Sequence, residues 1–120
     1  MKDILIKFNN KKFIACLPLP PRLNEYLNPV GNRLIKSAQF RHYQKDIQKL
    51  KTGKPFQNSV AIEMVVYRKR NAGDLDGYFK SLFDALKGIM YLDDSQIKHI
   101  IATNEKDSED PRVELICYEL

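Results

Sequence analysis

Apolar residues recur at two periods along this chain, and the switches between them mark its elements. Ile4, Ile6 and Phe8 alternate with Asp3, Leu5 and Lys7, the period of a strand. Asn9-Asn10-Lys11 is a turn signal and Lys12 to Leu17 reads as a second strand, so the spacing predicts an opening hairpin. Pro18, Pro20 and Pro21 end it, because proline lacks the N–H that a central strand donates. No clean period holds from Arg22 to Lys36, which reads as a long loop of the kind that often carries function. Ser37 is placed to cap a helix reaching about Leu50, with Phe40, Tyr43, Ile47 and Leu50 on its buried face. Lys51-Thr52-Gly53-Lys54-Pro55 stops that helix.

Val60 to Tyr67 is the most apolar strand and is expected to be central. A second helical stripe follows in Leu75, Phe79, Leu82, Phe83, Leu86 and Met90, with Ser81 to Met90 as the helix body. Ile97 to Thr103 and Arg112 to Glu119 return to strand patterning, the latter with Val113, Leu115 and Cys117 on one face. The order is β-β-α-β-α-β-β. It predicts a single α+β domain over residues 1–120, with two helices packed on one mixed β-sheet.

Composition narrows the class. A chain of 120 residues supports one core, and six Phe and six Tyr belong to a folded domain. No apolar run approaches the roughly 18 residues of a membrane span. The start Met1-Lys2-Asp3-Ile4-Leu5-Ile6 is too soon interrupted for a signal peptide. Cys16 and Cys117 lie in separate strands and are expected as buried free thiols in a reducing compartment. With His42 and His99 they give no paired ligand spacing for zinc. These features together point to a cytoplasmic protein. The net charge of +5, from 20 basic and 15 acidic residues, is compatible with a nucleic-acid partner.

The chemistry concentrates in Gly73-Asp74-Leu75-Asp76-Gly77-Tyr78-Phe79-Lys80 and in Leu92-Asp93-Asp94. Asp74 and Asp76 diverge by about 200° on a continuous helix, so they converge only if Asp74 precedes the helix in extended geometry. Gly73 permits that entry, and Asp is a favoured cap. Asp93 and Asp94 follow the helix and are free to fold back toward its first turn. Acids gathered in this way repel one another unless a cation sits between them, and oxygen-only ligands suit magnesium or manganese. The plainer alternatives stay open: a cap at Asp74, a solvated turn at Asp93-Asp94, and an i,i+4 ion pair from Lys80 to Asp76 or Asp84. Asp76, Lys80 and Asp84, each four apart, are expected to share one charged face. Arg68, Lys69 and Arg70 border the acids, and Arg22, Arg33 and Lys36 lie beside Tyr26. These are the candidate contacts to a phosphate backbone, or else ordinary solvated charges.

Taken together, these motifs resemble the RusA-type Holliday junction resolvase family over nearly the whole chain. Leu17-Pro18-Leu19-Pro20-Pro21 with Asn24 and Tyr26 is similar to its proline-rich opening. Arg68-Lys69-Arg70 before Asp74-Leu75-Asp76, then Lys80, Phe83-Asp84-Ala85-Leu86 and Leu92-Asp93-Asp94, follow the family's order. The resemblance implies Asp74, Asp76 and Asp94 as catalytic magnesium-binding carboxylates with Asp93 assisting, and Lys80 as a functional lysine. It also implies a homodimer acting on four-way DNA junctions in recombination and repair, with no organic cofactor. Gly77 departs from the family pattern, which places Asn there. The alternatives are a catalytically idle junction-binding relative, or a flap or fork nuclease of the same fold.

Overall fold

The computed structural model describes residues 2–70 and 73–120. Among them a five-stranded mixed sheet carries β1 (Leu5–Asn9), β2 (Lys12–Leu17), β5 (Val60–Arg68), β6 (Ile97–Lys106) and β7 (Arg112–Glu119). Its order is β1-β2-β7-β5-β6; β5 and β6 run parallel and the other neighbours antiparallel. The opening hairpin has the expected turn, with Asn10 and Lys11 both at positive φ (55° and 64°), a geometry that matches the twist of the flanking strands. β7 takes the middle of the sheet, and β5 is an interior strand beside it.

The fold class is α+β as expected, but the sequence pattern undercounts the elements. Residues 22–36 hold a short helix, α1 (Leu23–Tyr26), and a separate hairpin, β3 (Leu27–Val30) and β4 (Arg33–Lys36). Gly31, at φ +60°, turns that hairpin with nothing within 4 Å of where its Cβ would lie. Most of the hairpin is exposed on both faces, so no apolar alternation marks it in the sequence. Ser37 caps α2 (Ala38–Gln48) as predicted, its hydroxyl accepting from the Phe40 N–H at 3.0 Å. Such a cap is worth about 1 kcal/mol.

α1, α2 and α3 (Phe79–Ala85) pack against one another on one face of the sheet. Phe40 and Ile47 of α2, Leu82 of α3, and Phe13, Leu17, Ile62, Val66 and Val113 from the strands are almost fully buried there. Burying each such side chain contributes on the order of 1.5–3 kcal/mol. α3 is shorter than its apolar stripe suggests. The helix stops at Ala85, and Gly88 at φ +79° turns the chain with its N–H bonded to the Tyr91 carbonyl at 2.7 Å. Leu86, Ile89 and Met90 stay buried through that turn, so the apolar period outlasts the helix.

Cys117 is a buried free thiol as expected, pushed up to about 12 by burial. Cys16 is also free, but it is only half-buried, because β2 points it away from the helices. No helix among the described residues is long and apolar enough to cross a membrane.

Candidate active site

The acidic motif follows β5 at its carboxyl end, where crevices beyond parallel strands commonly hold ligands. Asp74 is extended (φ −78°, ψ 131°), as the convergence argument requires. Leu75–Tyr78 then forms a 3₁₀ turn leading into α3, closed by the Gly77 N–H donating to the Asp74 carbonyl at 3.2 Å. Tight turning here brings both carboxylates to one open pocket of about 530 Å³, lined by Arg22, Leu23, Asn24, Asp74, Asp76 and Gly77. Both acids are exposed. A larger trough of about 730 Å³ lies elsewhere, on sheet residues such as Ile14, Val65 and Ile101. It brings no comparable pair of acids to a guanidinium, so the smaller pocket is the candidate site.

Arg22 reaches the acidic pocket from the proline-rich segment. Its guanidinium lies 4.9 Å from the Tyr78 ring centroid and donates from Nη2 to the Asp74 carbonyl at 3.3 Å. Lys80 sits on the first turn of α3, exposed and without an ion pair among the described residues, so neither expected partner, Asp76 or Asp84, holds it.

Asp93 and Asp94 do not fold back to this pocket. Ile97 pairs with Val60 at the start of β5, whereas Asp74 follows the end of β5. Nine strand residues separate those ends by about 25 Å. Gln96 fixes the Asp93-Asp94 turn at the starting end. Its side-chain oxygen accepts from the N–H groups of Leu92 (2.7 Å) and Asp93 (2.9 Å), and its Nε2 donates to the carbonyls of Phe56 and Asn58. Among the described residues no three His, Cys, Asp or Glu side chains stand as a metal-holding group.

The Asp93-Asp94 end is organised by Lys87, which pairs with Asp84 (3.5 Å), Asp93 (3.7 Å) and Asp94 (4.0 Å). Asp84 was expected on a charged surface with Asp76 and Lys80, but it is buried. Tyr26 donates its hydroxyl to it, and Lys36 pairs with it at 3.1 Å. Burial alone would raise the Asp84 carboxyl, but the bonds from Tyr26 and Lys36 outweigh it and hold the group below its ordinary value. Tyr26 is driven up by burial first and by its bond to Asp84 second.

Two of the candidate backbone contacts therefore have internal places. Lys36 is tied to Asp84. Arg68 is buried, donating from Nε to Asn104 (2.8 Å) and from Nη1 to the Gly73 carbonyl (3.2 Å), which anchors the entry to the acidic motif. Its burial, rather than solvent exposure, follows from β5 pointing it to the helix face. Lys69, Arg70 and Arg33 are exposed. Lys87 and Gln96 are structural members of these clusters that local spacing does not single out, whereas Asp84 and Tyr26 stand out in the sequence but take buried, mutually bonded places.

An α+β domain that presents two carboxylates and a guanidinium in one open pocket, beyond the end of a parallel strand, has the makings of a phosphate-ester site. Comparison with protein families gives the class a name: residues 18–117 match Endodeoxyribonuclease RusA. That match spans most of the 120 residues, and the chain belongs to the RusA family of endodeoxyribonucleases, hydrolases of DNA. No curated protein matches the chain significantly.

Proposed function

We propose that this chain is a magnesium-dependent endodeoxyribonuclease that resolves four-way junctions by paired, symmetric nicks, acting as a homodimer. The observation that carries the reading is the shared pocket of Asp74 and Asp76 in a chain of the RusA family. Their donor chemistry fits the ion, since magnesium is commonly held by one or two carboxylates together with substrate phosphate oxygens. Magnesium or manganese bound there would polarise the phosphoryl oxygens and favour attack by water at neutral pH.

The chain's own groups do the rest. Asp74, extended before the 3₁₀ turn, and Asp76 within it are aimed into the same space without movement of the backbone. Lys80, one turn beyond Asp76 and free of ion pairs among the described residues, neutralises charge developing on the transferred phosphoryl group or the leaving oxygen. Lys69, Arg70 and Arg33, exposed near the site and on the hairpin, contact neighbouring phosphates. Asp94, with Asp93, serves as a second carboxylate group, held ready by Lys87 and Gln96. Two cuts related by symmetry need two equivalent sites, which an isologous dimer supplies.

A second reading draws on the separation of Asp94 from Asp74: a junction-binding relative that keeps the fold without the chemistry. Cleavage of end-labelled four-way junction, flap and plain duplex, each with magnesium or EDTA, separates the possibilities. The proposal expects paired nicks in the junction only, and only with magnesium. Cutting confined to flaps moves the activity to another branched substrate. Tight junction binding without nicks establishes the idle relative.

A further inference from the structure

The guanidinium of Arg22 is held in place yet nearly unused. Its main chain is fixed on both sides: the Ser81 hydroxyl donates to the Pro21 carbonyl, and the Arg22 N–H donates to the Glu25 carboxylate at 3.0 Å. The Glu25 N–H returns a bond to the Arg22 carbonyl at 2.8 Å. Tyr78 supports the planar head from one side. Of the five N–H donors such a head carries, a single one is bonded among the described residues, to the Asp74 carbonyl.

The two glycines of the acidic motif are shaped around this head. A Cβ on Gly73 would lie 2.8 Å from Nη2 of Arg22, and a Cβ on Gly77 would lie 3.1 Å from the same atom. Gly73 needs glycine anyway, since its φ is +81°. Gly77 has no such backbone demand. What its missing side chain leaves free is the space that the guanidinium fills. A fork of donors beside two exposed carboxylates suits an anion with several oxygens, and planar guanidinium is the side chain best matched to phosphate.

We propose that Arg22 is the phosphate ligand of the carboxylate pocket, its free N–H groups taking oxygens of the DNA phosphodiester seated against Asp74 and Asp76, with Gly77 as the room that keeps it there. This deepens the nuclease reading and rests on it for the identity of the phosphate. Arg22 touches the phosphate and offsets its repulsion by the two acids. Arg68 cannot do this, being buried and bonded to Asn104 and the Gly73 carbonyl.

The test is binding of a labelled four-way junction in EDTA over a range of salt, for the wild type and for Arg22→Ala, Arg22→Lys and Gly77→Leu. Thermal melts of each variant run beside it. Arg22→Ala is expected to weaken binding about tenfold and to reduce the slope of log affinity against log salt by about one. Gly77→Leu is expected to give the same losses with the arginine still present, because the head is displaced. Arg22→Lys retains the slope, and the melting points stay within a few degrees. Wild-type affinity and slope in Arg22→Ala would overturn the proposal, as would Gly77→Leu binding like wild type. Magnesium-dependent cutting by the wild type, measured in parallel, keeps the two claims separate. An Arg22-dependent salt slope without cutting ends the nuclease reading and leaves the phosphate contact. Cutting with an unchanged slope in Arg22→Ala does the reverse.

Discussion

Arg112 and Arg22 each lie over a tyrosine ring, Tyr67 at 3.8 Å and Tyr78 at 4.9 Å, but their surroundings differ. Arg112 is bonded through two of its three nitrogens, all to groups close by in the chain. Its Nη1 donates to Asp107 and to the Asp110 carbonyl, both at 2.8 Å, and its Nε donates to Glu114 at 2.7 Å. Asp107 in turn accepts from the N–H groups of Glu109 and Asp110, which closes the connection between β6 and β7. Burial works against the Arg112 charge, yet the bonds to Asp107 and Glu114 outweigh it and hold its proton more tightly than usual. Arg22 has the same head group and aromatic support but one carbonyl partner, and it faces an open acidic pocket. A cation bonded mainly to carboxylates and carbonyls of its own chain holds the fold. One that is held with its donors free is available to a ligand.

The same contrast separates Asp84 from Asp74 and Asp76. Asp84 is buried and answered by Tyr26, Lys36 and Lys87, whereas the other two acids are exposed. The largest stability effect is therefore expected at Asp84. Asp84→Ala removes the acidic partner of Lys36 and of the buried Tyr26 hydroxyl and should cost about 3 kcal/mol in urea unfolding. A loss below about 1 kcal/mol would break the comparison.

Next comes Arg112→Ala, expected to lower the melting point by roughly 5–10 °C while leaving junction binding unchanged at temperatures where it is folded. Weakened junction binding by the folded variant would make Arg112 a ligand contact rather than a structural one.

The pH dependence sharpens the same point. Asp107 is held below its ordinary value, chiefly by its bond from Arg112. Burial would raise Glu114, but its bonds from Arg112 and Lys2 bring it below the ordinary range, and Asp84 is likewise depressed. Depressed carboxyls stabilise the fold above their unfolded values near 4, and that stability is lost as pH falls through the folded values. Melting points should therefore hold at neutral pH and drop below about pH 4, less steeply for Arg112→Ala. Equal slopes in the two proteins would remove the Arg112 network from the explanation.

The sequence pattern announces elements whose faces are half-buried. Alternation marks β2 and β7, and Phe40, Tyr43 and Ile47 mark α2, because one side of each meets the core, whereas in β1 only Ile6 of the alternating set is buried. The β3–β4 hairpin escapes for the opposite reason, since it is mostly exposed and carries Pro29 in a strand. Asp74 and Asp76 are legible as a convergent pair because the requirement for extended geometry at Asp74 is local. The position of Asp94 is not legible locally. It depends on β6 running parallel to β5, which carries the turn before β6 to the far end of the sheet. Burial of Asp84 also depends on partners that arrive from α1 and β4, far away in the chain. Arg22 was legible as a candidate contact to a phosphate backbone beside Tyr26, but its seat against Gly77 belongs to the tertiary structure alone.

The central claim is that the open pocket, and not the internally bonded charge networks, carries the chemistry. The most direct measurement is the single-turnover rate of four-way junction cleavage in magnesium for the wild type, Asp74→Asn and Arg112→Ala, each at a temperature where it is folded. Asp74→Asn should fall by roughly a hundredfold or more while still binding the junction, and Arg112→Ala should stay within about threefold of wild type. Cutting by Asp74→Asn at the wild-type rate would contradict the account.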